Sequence, residues 1–275
     1  MDDKLRWILP VPFLIFGAGV WLYFQTENEV RVQMERAQNQ WREENHTEAI
    51  ALYESVYRNY PKSRYADDAL WEIGTIYYVN FYNVDRALIY FRKLVTEYPD
   101  SHLSADAYLK LAEIHEVELG DLTQALDYLG HIQIIDTSPE LHRRVLFKMG
   151  DAHLQLNQFD AALGKFRLLI EEGIADHLVE QARARVGTIL QIQSEYEKSV
   201  DCFQEVLDRT SCADCRLAAR LGLIESYEFL GELTKAIDIA QAIPTSEYPP
   251  QMKEDLLQRL GDKAQYYAPP FWNGR

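Results

Sequence analysis

Cysteine is scarce in this chain. Three residues in 275 are too few to build a fold from disulfides, so packing has to hold it together. Positive charge is also short: 28 Lys and Arg stand against 43 Asp and Glu, a net charge of −15. Such a chain repels phosphate backbones, which excludes nucleic acid as a partner class and favours basic or apolar protein segments. Catalytic signatures are missing too: there is no Gly-rich phosphate loop, no His-Glu-x-x-His motif and no nucleophile elbow, so neither an enzyme nor a cofactor is expected. What the chain does have is apolar material, 47% hydrophobic and 12% aromatic, enough for a large core.

That material is periodic. A small residue followed by an aliphatic one, and usually by an aromatic four positions on, occurs six times. The copies are Ala49-Ile50 with Tyr53, Ala87-Leu88 with Phe91, Ala125-Leu126 with Leu129, Ala162-Leu163 with Phe166, Ser199-Val200 with Phe203, and Ala236-Ile237. Successive copies are 38, 38, 37, 37 and 37 residues apart. A regular period of this length marks a solenoid, whose units bury their apolar faces by stacking on neighbours. Each unit holds two amphipathic patterns at helical spacing, as in residues 64–80 and 84–98. Pro61 and Pro99 end the second helices. Twelve or thirteen residues before each pair stands another small residue, Ala37, Gly74, Ala112, Gly150 and Gly187, with Ile224 the exception; these positions let paired helices approach closely.

Residues 7–24 carry no ionisable side chain except the Tyr23 phenol, and that length just spans a hydrocarbon core. Trp7, Trp21 and Tyr23 lie near its ends, where aromatic rings prefer the interface. Bulky residues 20–24 follow Gly17-Ala18-Gly19, so no signal-peptidase site is evident and a retained single-pass anchor is expected. Lys4 and Arg6 precede the run, while Glu27 and Glu29 follow it. The positive-inside bias therefore places residues 1–6 in the cytoplasm and 25–275 outside it, at an inner (plasma) membrane.

Gly or Ala, then Tyr or His three later, then Ala, an aromatic four later and a closing Pro: this phrase resembles the tetratricopeptide repeat over residues 30–245. The resemblance implies an all-α, right-handed superhelix of six helix-turn-helix units at about 30–61, 64–99, 102–137, 139–173, 175–210 and 214–245. Residues 246–267 would then cap it, and residues 268–275 would form a Pro/aromatic tail. The phrases Tyr60-Pro61-Lys62-Ser63 and Tyr98-Pro99-Asp100-Ser101 are similar to two bacterial envelope families, the periplasmic coordinator of the Tol-Pal system and the tetratricopeptide lipoprotein of outer-membrane assembly. Both imply a non-catalytic protein-binding scaffold. This chain has no cysteine at its start for lipidation.

By the same resemblance, first helices line a concave groove through their second, fifth, ninth and twelfth positions. Those are Asp68, Trp71, Thr75 and Tyr78; Asp106, Leu109, Glu113 and Glu116; and Arg144, Phe147, Asp151 and Leu154. Aromatics ringed by carboxylates suit apolar and basic partner segments; Trp71 and Phe147 are equally readable as helix packing. The Lys and Asn of a chaperone-type carboxylate clamp are absent from these positions. The alternative role is a structural or regulatory subunit that binds through the convex face and the 268–275 tail.

Two smaller clusters have competing readings. His115 and His153 stand where Tyr77 and Tyr227 stand in other units, so they are either metal ligands facing across adjacent repeats or packing residues; packing is adopted and no metal site is expected. Cys212 and Cys215, placed between the fifth and sixth units with Cys202 upstream, are expected to form a local disulfide outside the cytoplasm. Three free thiols are the alternative, and a zinc site lacks a second ligand pair.

Overall fold

The computed structural model describes residues 10–133, 138–173 and 177–267, with side chains from residue 20 to 266 within those segments. Thirteen helices and no strand occur among the described residues. The chain divides into two compact units, residues 1–136 and 137–275. The first holds α1 (Pro10–Arg42), α2 (His46–Asn59), α3 (Ala66–Val79), α4 (Val84–Glu97), α5 (Ser104–Val117) and α6 (Leu122–Ile132). The second holds α7 (Pro139–Gln155), α8 (Phe159–Glu171), α9 (His177–Ile192), α10 (Tyr196–Arg209), α11 (Ala213–Phe229), α12 (Leu233–Ala242) and α13 (Pro250–Tyr267). Within each unit every helix packs on the next in sequence, as short connections favour, and in the second unit α9 also touches α7 and α11.

The helix pairs close through a small residue on the first helix and a large one on the second. A Cβ added to Gly74 would stand 2.8 Å from the Phe91 ring, one on Gly150 2.5 Å from Phe166, and one on Gly187 2.8 Å from Phe203. The three rings are at most 2% exposed. Ala37 with Tyr53 and Ala112 with Leu129 repeat the pattern, all four buried. The sixth pair reverses it: Ile224 takes the notch position and Ala240 the ring position, and both are buried in one cluster. The exception at Ile224 is thus a volume exchange that keeps the packing density of an interior.

Prolines act as expected, by restricting the residue before them. Tyr60 and Tyr98 leave helical geometry at φ −130° and −129°, and α2 and α4 end at Asn59 and Glu97. The serines of the two Tyr-Pro phrases then join three elements. Ser63 Oγ accepts from the Tyr65 amide at 3.3 Å and donates to Glu27 Oε2 at 3.0 Å; Ser101 Oγ accepts from Leu103 at 3.0 Å and donates to Asp67 Oδ2 at 2.5 Å. Each serine opens the next first helix and ties it to an acid on the previous one. Other side chains bridge units at about the repeat spacing, including Trp41 Nε1 to Asn80 Oδ1 at 3.0 Å and Arg185 Nε to Asp151 Oδ1 at 2.7 Å.

The turn inside each pair contains one left-handed residue: Glu44, Tyr82, Gly120, Asn157, Ser194 and Gly231, with φ between 51° and 75°. They recur at the same 38, 38, 37, 37, 37 spacing and always five residues before the small-aliphatic pair. The turns α3–α4 and α5–α6 have four residues where the others have three, which is the source of the 38-residue intervals.

The described residues leave the expected anchor open and change the expected disulfide. Residues 7–9 of the anchor, like residues 1–6 and the 268–275 tail, lie outside the described residues, and no helix among the described residues is long and apolar enough to cross a membrane. No break falls at residue 25, because α1 continues into the first pair and buries Val30 and Ala37. Cys212 and Cys215 are not in a connection but at the start of α11, where Cys212 Sγ accepts from the Cys215 amide at 3.1 Å. All three cysteines are free, so the expected bridge is absent and Cys212 serves as the helix N-cap. Burial and the neighbouring Cys212 push the Cys215 thiol up to about 12, which leaves it unreactive at neutral pH.

Gly150→Ala tests the notch. Overpacking of about 1–3 kcal/mol opposes a helix-propensity gain of about 1 kcal/mol, so urea unfolding of the variant will show a net loss, partly recovered by adding Phe166→Leu.

Candidate protein-binding site

The partly exposed side of α3 is built by helical spacing. Asp68, Glu72 and Thr75 follow one another at i, i+4 and i+7 and share one face, with Tyr78 at the end of the same helix. Burial raises the Asp68 carboxyl pKa, helped by Asp67, against the opposing charges of His102 and Arg64; His102 Nε2 stands 3.7 Å from Asp68 Oδ1. Glu72 is also raised, by burial and then by Asp68, and has no ion-pair partner among the described residues. Two half-buried acids one helical turn apart thus repel each other and lack a strong cation. Glu72 was not among the residues singled out from the sequence, although its i+4 spacing from Asp68 was there to be read.

On α5, Asp106 is exposed, and Glu113 and Glu116 are partly exposed. Lys110 Nζ lies 2.8 Å from Glu113 Oε2 and 6.0 Å from the Tyr78 ring centroid. Tyr78 donates to Glu118 Oε1 at 3.0 Å. Leu109 is only 5% exposed, which removes it from the binding face: its side chain is core. Trp71 is half-buried with its ring 5.3 Å from that of Phe91, so it covers the aromatic ring of its own helix pair and shows only part of itself to solvent.

The second unit offers less. Phe147 repeats the role of Trp71, 5.8 Å from Phe166, and Leu154 packs against the same cluster. Asp151 is engaged by Arg185, and Arg144 is exposed. The two candidate histidines are each accounted for inside their own unit. His115 is 5% exposed, with Nε2 3.2 Å from Arg92 and the ring 5.3 Å from that of Tyr128; burial, then Arg92, lowers its pKa despite Asp121. His153 Nδ1 is 2.7 Å from Gln158 Oε1. His115 is a packing residue, and His153 is a partly exposed side chain bonded within its own helix pair.

Residues 34–102 and 144–172 match tetratricopeptide-repeat family models. The chain carries tetratricopeptide repeats. Among solved structures it resembles a tetratricopeptide repeat protein from Parabacteroides merdae, with TM-score 0.57 at 16% identity over 88% of this chain and 94% of that one. It also resembles YrrB, a tetratricopeptide protein with an unusual peptide-binding site (0.55, 15%, 75% and 97%), and the type IV pilus biogenesis factor PilW (0.52, 17%, 84% and 97%). At such identities the likeness establishes the fold and not the role. No curated protein matches the chain.

The raised carboxyls make a pH prediction. The folded state holds the Glu72 proton more tightly than the unfolded chain, so this group favours folding most below the unfolded value of about 4.3. That contribution is lost as pH rises through the higher folded value. Glu72→Gln is therefore expected to raise the Tm at pH 7 by more than it does near pH 4; an equal or opposite difference in scanning calorimetry would show that Glu72 is compensated.

Proposed function

We propose that the chain is a non-catalytic scaffold that holds protein segments bearing apolar and basic side chains on the α3–α5 face of its first unit. The observation that carries this reading is the acid pair Asp68 and Glu72, one helical turn apart, with Asp68 raised by burial and then by Asp67, and Glu72 raised by burial and then by Asp68. A lysine or arginine placed there relieves an existing repulsion, so its charge gains more than at a solvated acid. Thr75, Tyr78 and the visible part of Trp71 add neutral and aromatic contact area beside it. In the second unit Asp151 already has its cation, which makes the first unit the better receptor. Peptide binding by YrrB is a use of the same fold that suits this reading.

The proposal extends to the membrane. Residues 7–24 tether the repeats, with the amino terminus in the cytoplasm and the repeats on the outer side of an inner membrane. Support comes from the uncharged run itself and from α1, where residues 20–24 are 38–66% exposed and so are not used in packing the repeats. An envelope role in assembly or maintenance follows from that placement. It does not follow from the Tyr-Pro-x-Ser phrases, whose serines are occupied in joining helices.

Full-length protein in detergent, titrated calorimetrically with a synthetic peptide alternating leucine and arginine, tests the face. The double variant Asp68→Asn, Glu72→Gln is expected to weaken binding about tenfold or more, with the native affinity itself falling as salt rises. Equal affinities would rule this face out. For the tether, the chain is expected to stay with membranes through alkaline carbonate washing and to be digested by protease added to spheroplasts; release, or protection from protease, contradicts the placement.

A further inference from the structure

Tyr82 breaks the rule its equivalents obey. The left-handed turn position is filled elsewhere by Glu44, Gly120, Asn157, Ser194 and Gly231, residues that are small, short-branched or flexible. Here an aromatic residue sits at φ 51°, a conformation costly for a bulky side chain. Packing does not compensate, because Tyr82 is 85% exposed. Around it the first unit exposes more apolar surface: Val79 at 52%, Phe81 at 45%, Val117 at 71% and Leu119 at 50%. All of these belong to the ends of α3 and α5 and the turns that follow them.

The surface has shape as well as composition. A cleft of about 320 Å³ is lined by Tyr78, Val79, Tyr82, Val84 and Glu118. A second of about 390 Å³ continues past Phe81 and Leu119 and includes Asp85. Glu118 Oε1 accepts from Tyr78, while its other oxygen has no partner among the described residues. Both ionised groups lining these clefts, Glu118 and Asp85, are therefore acidic, and the apolar walls are aromatic.

We propose that this turn edge of the first unit docks a proline-rich, arginine-bearing segment of another protein. Proline rings lie flat on tyrosine faces, and a polyproline II segment enters already extended, with little conformational entropy to lose. The guanidinium supplies the charge that Glu118 and Asp85 lack. This surface is separate from the Asp68 and Glu72 face, although Tyr78 borders both.

The probe is a fluorescein-labelled peptide of about ten residues, built of proline pairs and leucine with one terminal arginine and read by anisotropy on full-length protein. In the Asp68→Asn, Glu72→Gln background, which removes the other acidic face as a site for the arginine, Tyr82→Gly and Glu118→Gln are each expected to weaken binding about tenfold or more. Glycine fits the left-handed turn, so Tyr82→Gly also keeps the native Tm or raises it. The proposal is overturned if the peptide does not bind, if Tyr82→Gly binds equally well, or if that variant melts lower, which would make Tyr82 a packing residue. Tyr82-dependent binding to anionic lipid vesicles, or Tyr82-dependent self-association, in place of peptide binding would overturn it too.

Discussion

Five of the six helix pairs close because a large side chain on the second helix lies against a stretch of the first where little or no Cβ intervenes. Phe91 against Gly74, Phe166 against Gly150 and Phe203 against Gly187 leave no room for a methyl group, and Ile224 with Ala240 shows that the summed volume, not the residue type, is what is held constant. With the two helices brought that near, the rest follows. Trp71 and Phe147 are drawn over the rings, the short turn is forced through a left-handed residue, and the opposite face of each first helix is left for solvent or a partner.

Stacking of one pair on the next continues the apolar core, which in the first unit runs from Val30 to Ile114, and adds polar groups at nearly the repeat spacing. Ser63 and Ser101 each bond an acid from the previous first helix while opening their own, so two otherwise costly buried carboxylates, Glu27 and Asp67, have partners. Asp68 and Glu72 lie on the same helix as Asp67 without comparable compensation. That contrast separates the acid that builds the repeat from those that remain available to a ligand.

Helix existence and pairing were legible in the sequence because the period, the small residues and the prolines are local signals with direct steric meaning. The exception at Ile224 was visible, but its exchange with Ala240 was not, since that is a property of two residues judged together in three dimensions. The groove positions were placed by register alone, and register cannot distinguish a side chain that faces solvent from one that a neighbour covers. Leu109 is thus core, and Trp71 and Phe147 are half-committed to packing. The Cys212–Cys215 spacing suited a bridge equally well, but at the first turn of a helix the sulfur of Cys212 finds a backbone amide instead. The left-handed turn residues share the period of the packing motif, yet no residue type marks them, and Tyr82 least of all.

The central claim is that partners are held on the first-helix side of the first unit. A photoreactive amino acid placed at Thr75, between the acid pair and Tyr78 on α3, or at the exposed Ile89 on α4, separates the two sides of one helix pair in living cells. The account predicts covalent adducts to another protein from position 75 and none from position 89. Adducts from 89 alone would contradict it and put binding on the second helices.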